Sequence, residues 1–109
     1  VQAYSVLVGL SGGGGISIGD GVRIAPHVMV FAANHVFSDT SVPIFRQGVD
    51  KAPIIIEDDV WIAGQVMITA GVRIGGGSVI GAGAIVRNDL PPWSVAVGDP
   101  ARVVMKRKE

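Results

Sequence analysis

The chain has 109 residues with nine basic and nine acidic side chains; 49% of it is apolar and only 17% is charged. A formal net charge of zero with this much apolar character excludes a disordered tail. It also argues against nucleic-acid or acidic-membrane partners and suggests surface that is buried against partners. There is no cysteine, so disulfides, thiolate metal sites and thiol nucleophiles are excluded, and a reducing cytoplasm is the expected compartment.

No membrane span is expected, because Gly, Asp or Arg interrupts each apolar stretch, and no signal peptide is visible. The chain opens on Val1 rather than Met, so a missing N-terminal segment is among the expectations.

From the N-terminus, β-branched residues recur at every sixth position: Ile18, Ile24 and Val30, then Ile56, Ile62, Ile68, Ile74, Ile80 and Val86. A second row runs two residues ahead: Tyr4, Leu10, Ile16, Val22 and Val28, then Ile54, Val60, Val66, Val72, Ser78 and Ala84. Small residues follow the first row at Gly19, Ala25, Ala63, Gly75 and Gly81, and glycine falls third after it at Gly21, Gly71, Gly77 and Gly83. Residues two apart face the same side of a short strand, and glycine turns the chain at φ > 0 without steric cost. Repetition of this unit predicts a prism lined by stacked Val and Ile, an all-β parallel β-helix that spans 1–109 as one domain. An α-helix is ruled out, since a period of six does not keep residues on one helical face. His27 takes a corner position that glycine fills elsewhere, and reads as a turn residue rather than a catalytic one.

The repeat breaks once. Val30 and Ile56 are 26 positions apart, and the pattern vanishes between them. Residues 31–53 therefore read as a loop that leaves the prism, of a length that is usually functional. The text FAANHVFSDTSVPIFRQG is of mixed composition, which points to an ordered loop. Beyond Val86, residues 87–109 form a closing segment.

Three passages resemble the hexapeptide-repeat acyltransferases, in the branch of maltose, galactoside and polysaccharide O-acetyltransferases. They are Asn34-His35 with FSDTSVPI and Gln47-Gly48; IIIEDDVWIAGQVMITAGVRIGGGSVIGAGAIV from Ile54 to Val86; and DLPPWSVAVGDPARVV from Asp89 to Val104. The resemblance implies a left-handed coil, a homotrimer with acetyl-CoA bound between subunits, a sugar or polysaccharide-precursor acceptor, and no metal requirement.

Acetyl transfer from a thioester to a hydroxyl needs a base for the hydroxyl proton, and histidine suits this near neutral pH. The resemblance assigns that role to His35, with direct transfer rather than a covalent intermediate. Asn34 is a candidate to orient the acceptor or the base. Asp39 is a candidate to bond the His35 ring or an acceptor hydroxyl, beside the plainer reading of a solvated carboxylate. Trp61 lies between inward Val60 and Ile62, so its ring should point outward as a wall for the pantetheine arm, the acceptor or a subunit contact. Gly64 and Ala82 match positions whose backbone groups bond the pantetheine amides. Arg87 and Arg102 match cofactor-contacting positions, although Arg87-Asn88 stands where relatives carry Thr-Lys. Lys106, Arg107 and Lys108 read as a solvated tail that could also reach the cofactor's 3′-phosphate.

Three other readings compete. A carbonic-anhydrase-like zinc enzyme needs three histidines per site, and this chain has two. A non-catalytic trimerising module has no need of the His35 loop. An N-acetyltransferase of nucleotide-linked amino sugars would use the same histidine.

Overall fold

The computed structural model describes residues 6–8 and 15–108. In chain order the strands are β1 (Val6–Val8), β2 (Ile16–Ile18), β3 (Arg23–Ile24), β4 (Met29–Phe31), β5 (Ala33–His35), β6 (Val49–Lys51) and β7 (Ile54–Ile56). There follow β8 (Trp61–Ile62), β9 (Met67–Ile68), β10 (Arg73–Ile74), β11 (Val79–Ile80), β12 (Ile85–Val86), β13 (Ser94–Val97) and β14 (Arg102–Lys106). One helical turn, α1 (Ile44–Gln47), stands between β5 and β6.

The short strands stack into three sheets that form the faces of a prism, ordered β1-β4-β9-β12, β10-β7-β2 and β14-β13-β11-β8-β3. They are called here the β9, β7 and β8 faces. The chain crosses the β7, β8 and β9 faces in turn, one hexapeptide per face. Trp61 therefore pairs in parallel with Val79, and Ile55 with Arg73, eighteen positions along in each case. The first-row residues from Ile56 to Val86 and the second-row Val60, Val66 and Val72 are all at most 2% exposed. The predicted rows are the core.

Two described residues, Ile18 and Ser78, depart from the pattern. Ile18 is 37% exposed, because β2 is the outermost strand of its sheet and no described coil covers it. Tyr4 and Leu10 lie outside the described residues. Ser78 sits in an apolar row yet is fully buried; its hydroxyl donates to Pro91 O (3.2 Å) and accepts from Ser94 N–H (3.2 Å), so it carries no unmet polar cost.

Between β4 and β7 the register changes. Ile16 pairs with Ile54, Arg23 with Trp61 and Met29 with Met67, each thirty-eight positions along. Twenty residues are thus inserted while every inward position keeps its phase. The inserted segment is narrower than the expected 31–53, since Phe31 still belongs to β4 and Ala32 is buried. The closing segment is also more ordered than its sequence suggested. Leu90 bridges Ile74 on the β7 face, β13 stacks on β11, and β14 folds back antiparallel to end the β8 face.

Corners are left-handed turns whether or not glycine fills them: His27, Asp59, Gln65 and Trp93 have φ of 58–64°. The Trp93 ring lies on Gly77, where a Cβ would come within 2.3 Å of Cε3, whereas a Cβ at Gly83 would meet open space. Both glycines have φ of 76°. Gly83→Ala should therefore cost only the left-handed penalty of about 1 kcal/mol. Gly77→Ala should add about 1–3 kcal/mol for displacing the ring. Urea unfolding of the two variants checks this, and equal shifts would show that the Trp93 packing contributes nothing.

Candidate active site

The insertion is an arm. Ala52 N–H donates to Ala32 O (2.9 Å), which joins its entry to its exit at the edge between the β9 and β7 faces. Beyond that bond, β5 and β6 pair antiparallel, with Asn34 opposite Asp50 and His35 opposite Val49. Both Asn34 and His35 are exposed. Phe37 and Phe45 stand 71% and 77% exposed further out, and the Arg46 guanidinium lies 5.4 Å from the Phe45 ring.

Asp39 is exposed and is bonded within its own turn rather than to His35. Its carboxylate accepts from the Ser41 hydroxyl (2.6 Å) and the Ser41 N–H (3.0 Å), and no bond to the His35 ring is present among the described residues. Those two bonds, the hydroxyl's first, hold Asp39 below its ordinary pKa. It caps a turn.

Two of the cofactor candidates, Gly64 and Ala82, lie along a different edge. Where the β8 face turns into the β9 face, successive coils stack Pro26-His27, Gly64-Gln65 and Ala82-Gly83. Gln65 N–H donates to Pro26 O (3.2 Å) and Gly83 N–H to Gly64 O (3.0 Å). Gly98 continues the stack by accepting from Ile85 N–H (3.0 Å). At that end of the prism the Arg87 guanidinium pairs with Asp99 (3.1 Å), and Arg102 stands exposed on β14 opposite Val97. The edge thus offers a run of small residues that leads to two cations, a form suited to a long amide-containing chain with phosphates at one end.

Trp61 points outward on β8 beside this edge, 54% exposed, with Arg23 and Val79 as its strand neighbours. It lines a shallow groove of about 340 Å³ with Arg23, Asp59, Val79 and Arg107.

One chain does not gather all the candidates at one place. The arm springs from one margin of the β9 face, and Gly64 and Ala82 form the other. The face between them presents Met29, Met67 and Ile85 outward, while Trp61 lies on the face opposite the arm's base. Among the described residues the His35 ring has no hydrogen bond to Trp61, and none to Gly64 or Ala82. No group of three His, Cys, Asp or Glu side chains is placed to hold a metal ion among the described residues, and none of their helices is long and apolar enough to cross a membrane.

Two features were not foreseen. The C-terminal cations are anchored: Arg107 donates to Gly77 O (2.7 Å) and lies 3.6 Å from Asp59, and both Arg107 and Lys108 lie over the Trp93 ring. Gln47 makes several bonds inside the arm, and its only trace in the sequence is its place in the Gln-Gly pair.

Residues 53–88 match the family model described as Bacterial transferase hexapeptide (six repeats). Over those residues the prism carries the hexapeptide repeat of that family. The galactoside O-acetyltransferase of Escherichia coli is 43% identical over 94 residues, which cover 82% of this chain and 43% of that protein. A hexapeptide-repeat acetyltransferase of Vibrio cholerae, solved with acetyl coenzyme A, superposes with a TM-score of 0.78. It is 39% identical, over 86% of this chain and 50% of that one. AntD, an N-acyltransferase of Bacillus cereus solved with dTDP and 3-hydroxybutyryl-CoA, superposes with a TM-score of 0.83. It is 32% identical, over 97% of this chain and 58% of that one.

The fold shared with these hexapeptide-repeat proteins makes the coil left-handed, against the usual right-handed crossover. The chain spans less than half the length of the curated relatives that it matches along most of its own length.

Proposed function

We propose that this domain transfers an acetyl group from acetyl-CoA to a hydroxyl of a sugar or polysaccharide precursor. The observation that carries the reading is the pair of elements flanking one prism face. An exposed histidine stands on a projecting arm at one edge, and stacked small residues leading to Arg87 and Arg102 line the other.

In this reading the pantetheine chain lies along the Gly64–Ala82 edge, where small side chains permit close approach to backbone groups. The phosphates lie toward Arg87 and Arg102, and Trp61 flanks the chain from the adjoining β8 face. The His35 imidazole takes the proton as the acceptor oxygen attacks the thioester carbonyl. The C–S bond then breaks, and the proton passes to the leaving thiolate. Asn34, one residue away, orients the acceptor. No metal is needed, since the thioester is already activated.

Because the arm and the edge stand a full face apart, the complete site forms between copies. His35 of one protomer meets the edge of its neighbour, and a closed homotrimer repeats this junction three times. The outward Met29, Met67 and Ile85 give the face between them an apolar surface suited to burial.

The similarity to AntD favours a second reading, acyl transfer to the amine of a nucleotide-linked amino sugar. Calorimetry with acetyl-CoA, together with thiol release over a panel of neutral sugars, oligosaccharides and nucleotide-linked amino sugars, separates the cases. Binding with release driven by hydroxyl acceptors is expected. Release driven only by amino sugars moves the assignment to the second reading, and absence of acetyl-CoA binding leaves a non-catalytic module.

A further inference from the structure

We propose that Gln47 is a positioning residue for His35, a role that rests on the assignment of His35 as the base. The arm has no core of its own. No residue of β5, α1 or β6 is buried, and an isolated two-stranded hairpin is marginal in water. Its shape must therefore be held by polar closure.

Gln47 supplies that closure. Its amide nitrogen donates to Asp39 O (2.8 Å) and Val42 O (2.6 Å), and its amide oxygen accepts from Asp39 N–H (3.3 Å). Both donor hydrogens and the acceptor are thereby used. The three bonds tie the last residue of α1 to the 39–42 turn, which the Asp39–Ser41 bonds already stiffen. Directly after Gln47 the chain turns at Gly48 (φ 85°), whose carbonyl accepts from Val36 N–H (3.1 Å). The next residue, Val49, is the strand partner of His35. Gln47 thus fixes the strand against which the His35 backbone is laid, and with it the origin of the imidazole. Its side chain touches no proposed reactant.

The test compares Gln47→Ala, Gln47→Glu and His35→Ala with the wild-type protein. The readouts are kcat, the acetyl-CoA KM, urea unfolding and hydrogen exchange over 33–51. Glutamate keeps the length and an acceptor but loses both donors. Both Gln47 variants should exchange faster over 33–51 and lose about ten-fold or more in kcat, because small misplacements of a reacting group are costly. The acetyl-CoA KM should stay within about two-fold, because Gln47 makes none of the proposed acetyl-CoA contacts. The unfolding midpoint should stay in place, because the prism carries the core.

Wild-type kcat and exchange in either Gln47 variant overturn the proposal, as does a KM rise that accounts for the whole loss. Turnover surviving in His35→Ala overturns the base assignment and this role with it, and is told apart because it appears in a different variant.

Discussion

His35→Ala is expected to lower kcat by about 10²–10⁴-fold while acetyl-CoA binding stays within about two-fold. The imidazole sits on the arm, and the proposed acetyl-CoA contacts are other groups: backbone at Gly64 and Ala82 and cations at Arg87 and Arg102. Removing the base should therefore leave the bound state intact and raise only the barrier to attack. His35→Gln should lose as much, since an amide cannot take a proton at neutral pH. Single-turnover thiol release, with calorimetry on the same samples, reads both quantities. A parallel loss of binding and rate would mean that the arm shapes the acetyl-CoA groove; retained turnover would mean that another group takes the proton.

The second large effect is recovery of activity from two dead proteins. Ala82→Trp should block the edge and abolish acetyl-CoA binding, and His35→Ala should abolish turnover. In a mixed assembly, a junction that joins the intact arm of the first variant to the intact edge of the second is whole. With random mixing at equal ratio, one of two copies must supply each half, so about one quarter of the junctions should work. Co-expression with two affinity tags isolates the mixed trimers, in which about one third of the junctions should be whole, and measures this. Activity that stays at the background of the separate variants would put the arm and edge of a single chain at the same site.

The prism was legible because its cause is periodic. Stacked coils demand an inward residue at fixed intervals, and the row from Ile56 to Val86 states that demand directly. His27 was legible for the same reason, as a corner position occupied by a residue that tolerates positive φ. Asp59, Gln65 and Trp93 occupy such corners too; aspartate shares the tolerance of histidine, but nothing in glutamine or tryptophan announces the conformation. Ile18 belongs to the row yet is exposed, because burial depends on a neighbouring coil that a single position does not encode.

The arm was legible as an interruption and no further. Its hairpin has no apolar alternation to reveal strands, since almost nothing in it is buried. Gln47 bonds to main-chain groups, and an amide that seeks backbone carbonyls leaves no complementary side chain elsewhere in the sequence. Asp39 read as a solvated carboxylate or a partner for His35 or the acceptor, and its bonds to Ser41 show a carboxylate two residues before a serine N–H closing its own turn. The edge formed by Gly64 and Ala82 came from resemblance; only the coil geometry shows that they are neighbours.

The stitch between Ala32 and Ala52 makes the fold unequal in what it can absorb. Deleting one residue within a coil would shift every later position and turn apolar side chains toward water. A change of length inside the arm leaves the coils in phase, and doubling a flexible loop adds only about 0.6 kcal/mol of closure entropy. Divergence in chemistry is thereby channelled to one point of attachment. The prism acts as a fixed chassis, and the arm can be lengthened, shortened or exchanged as a unit without the core being solved again.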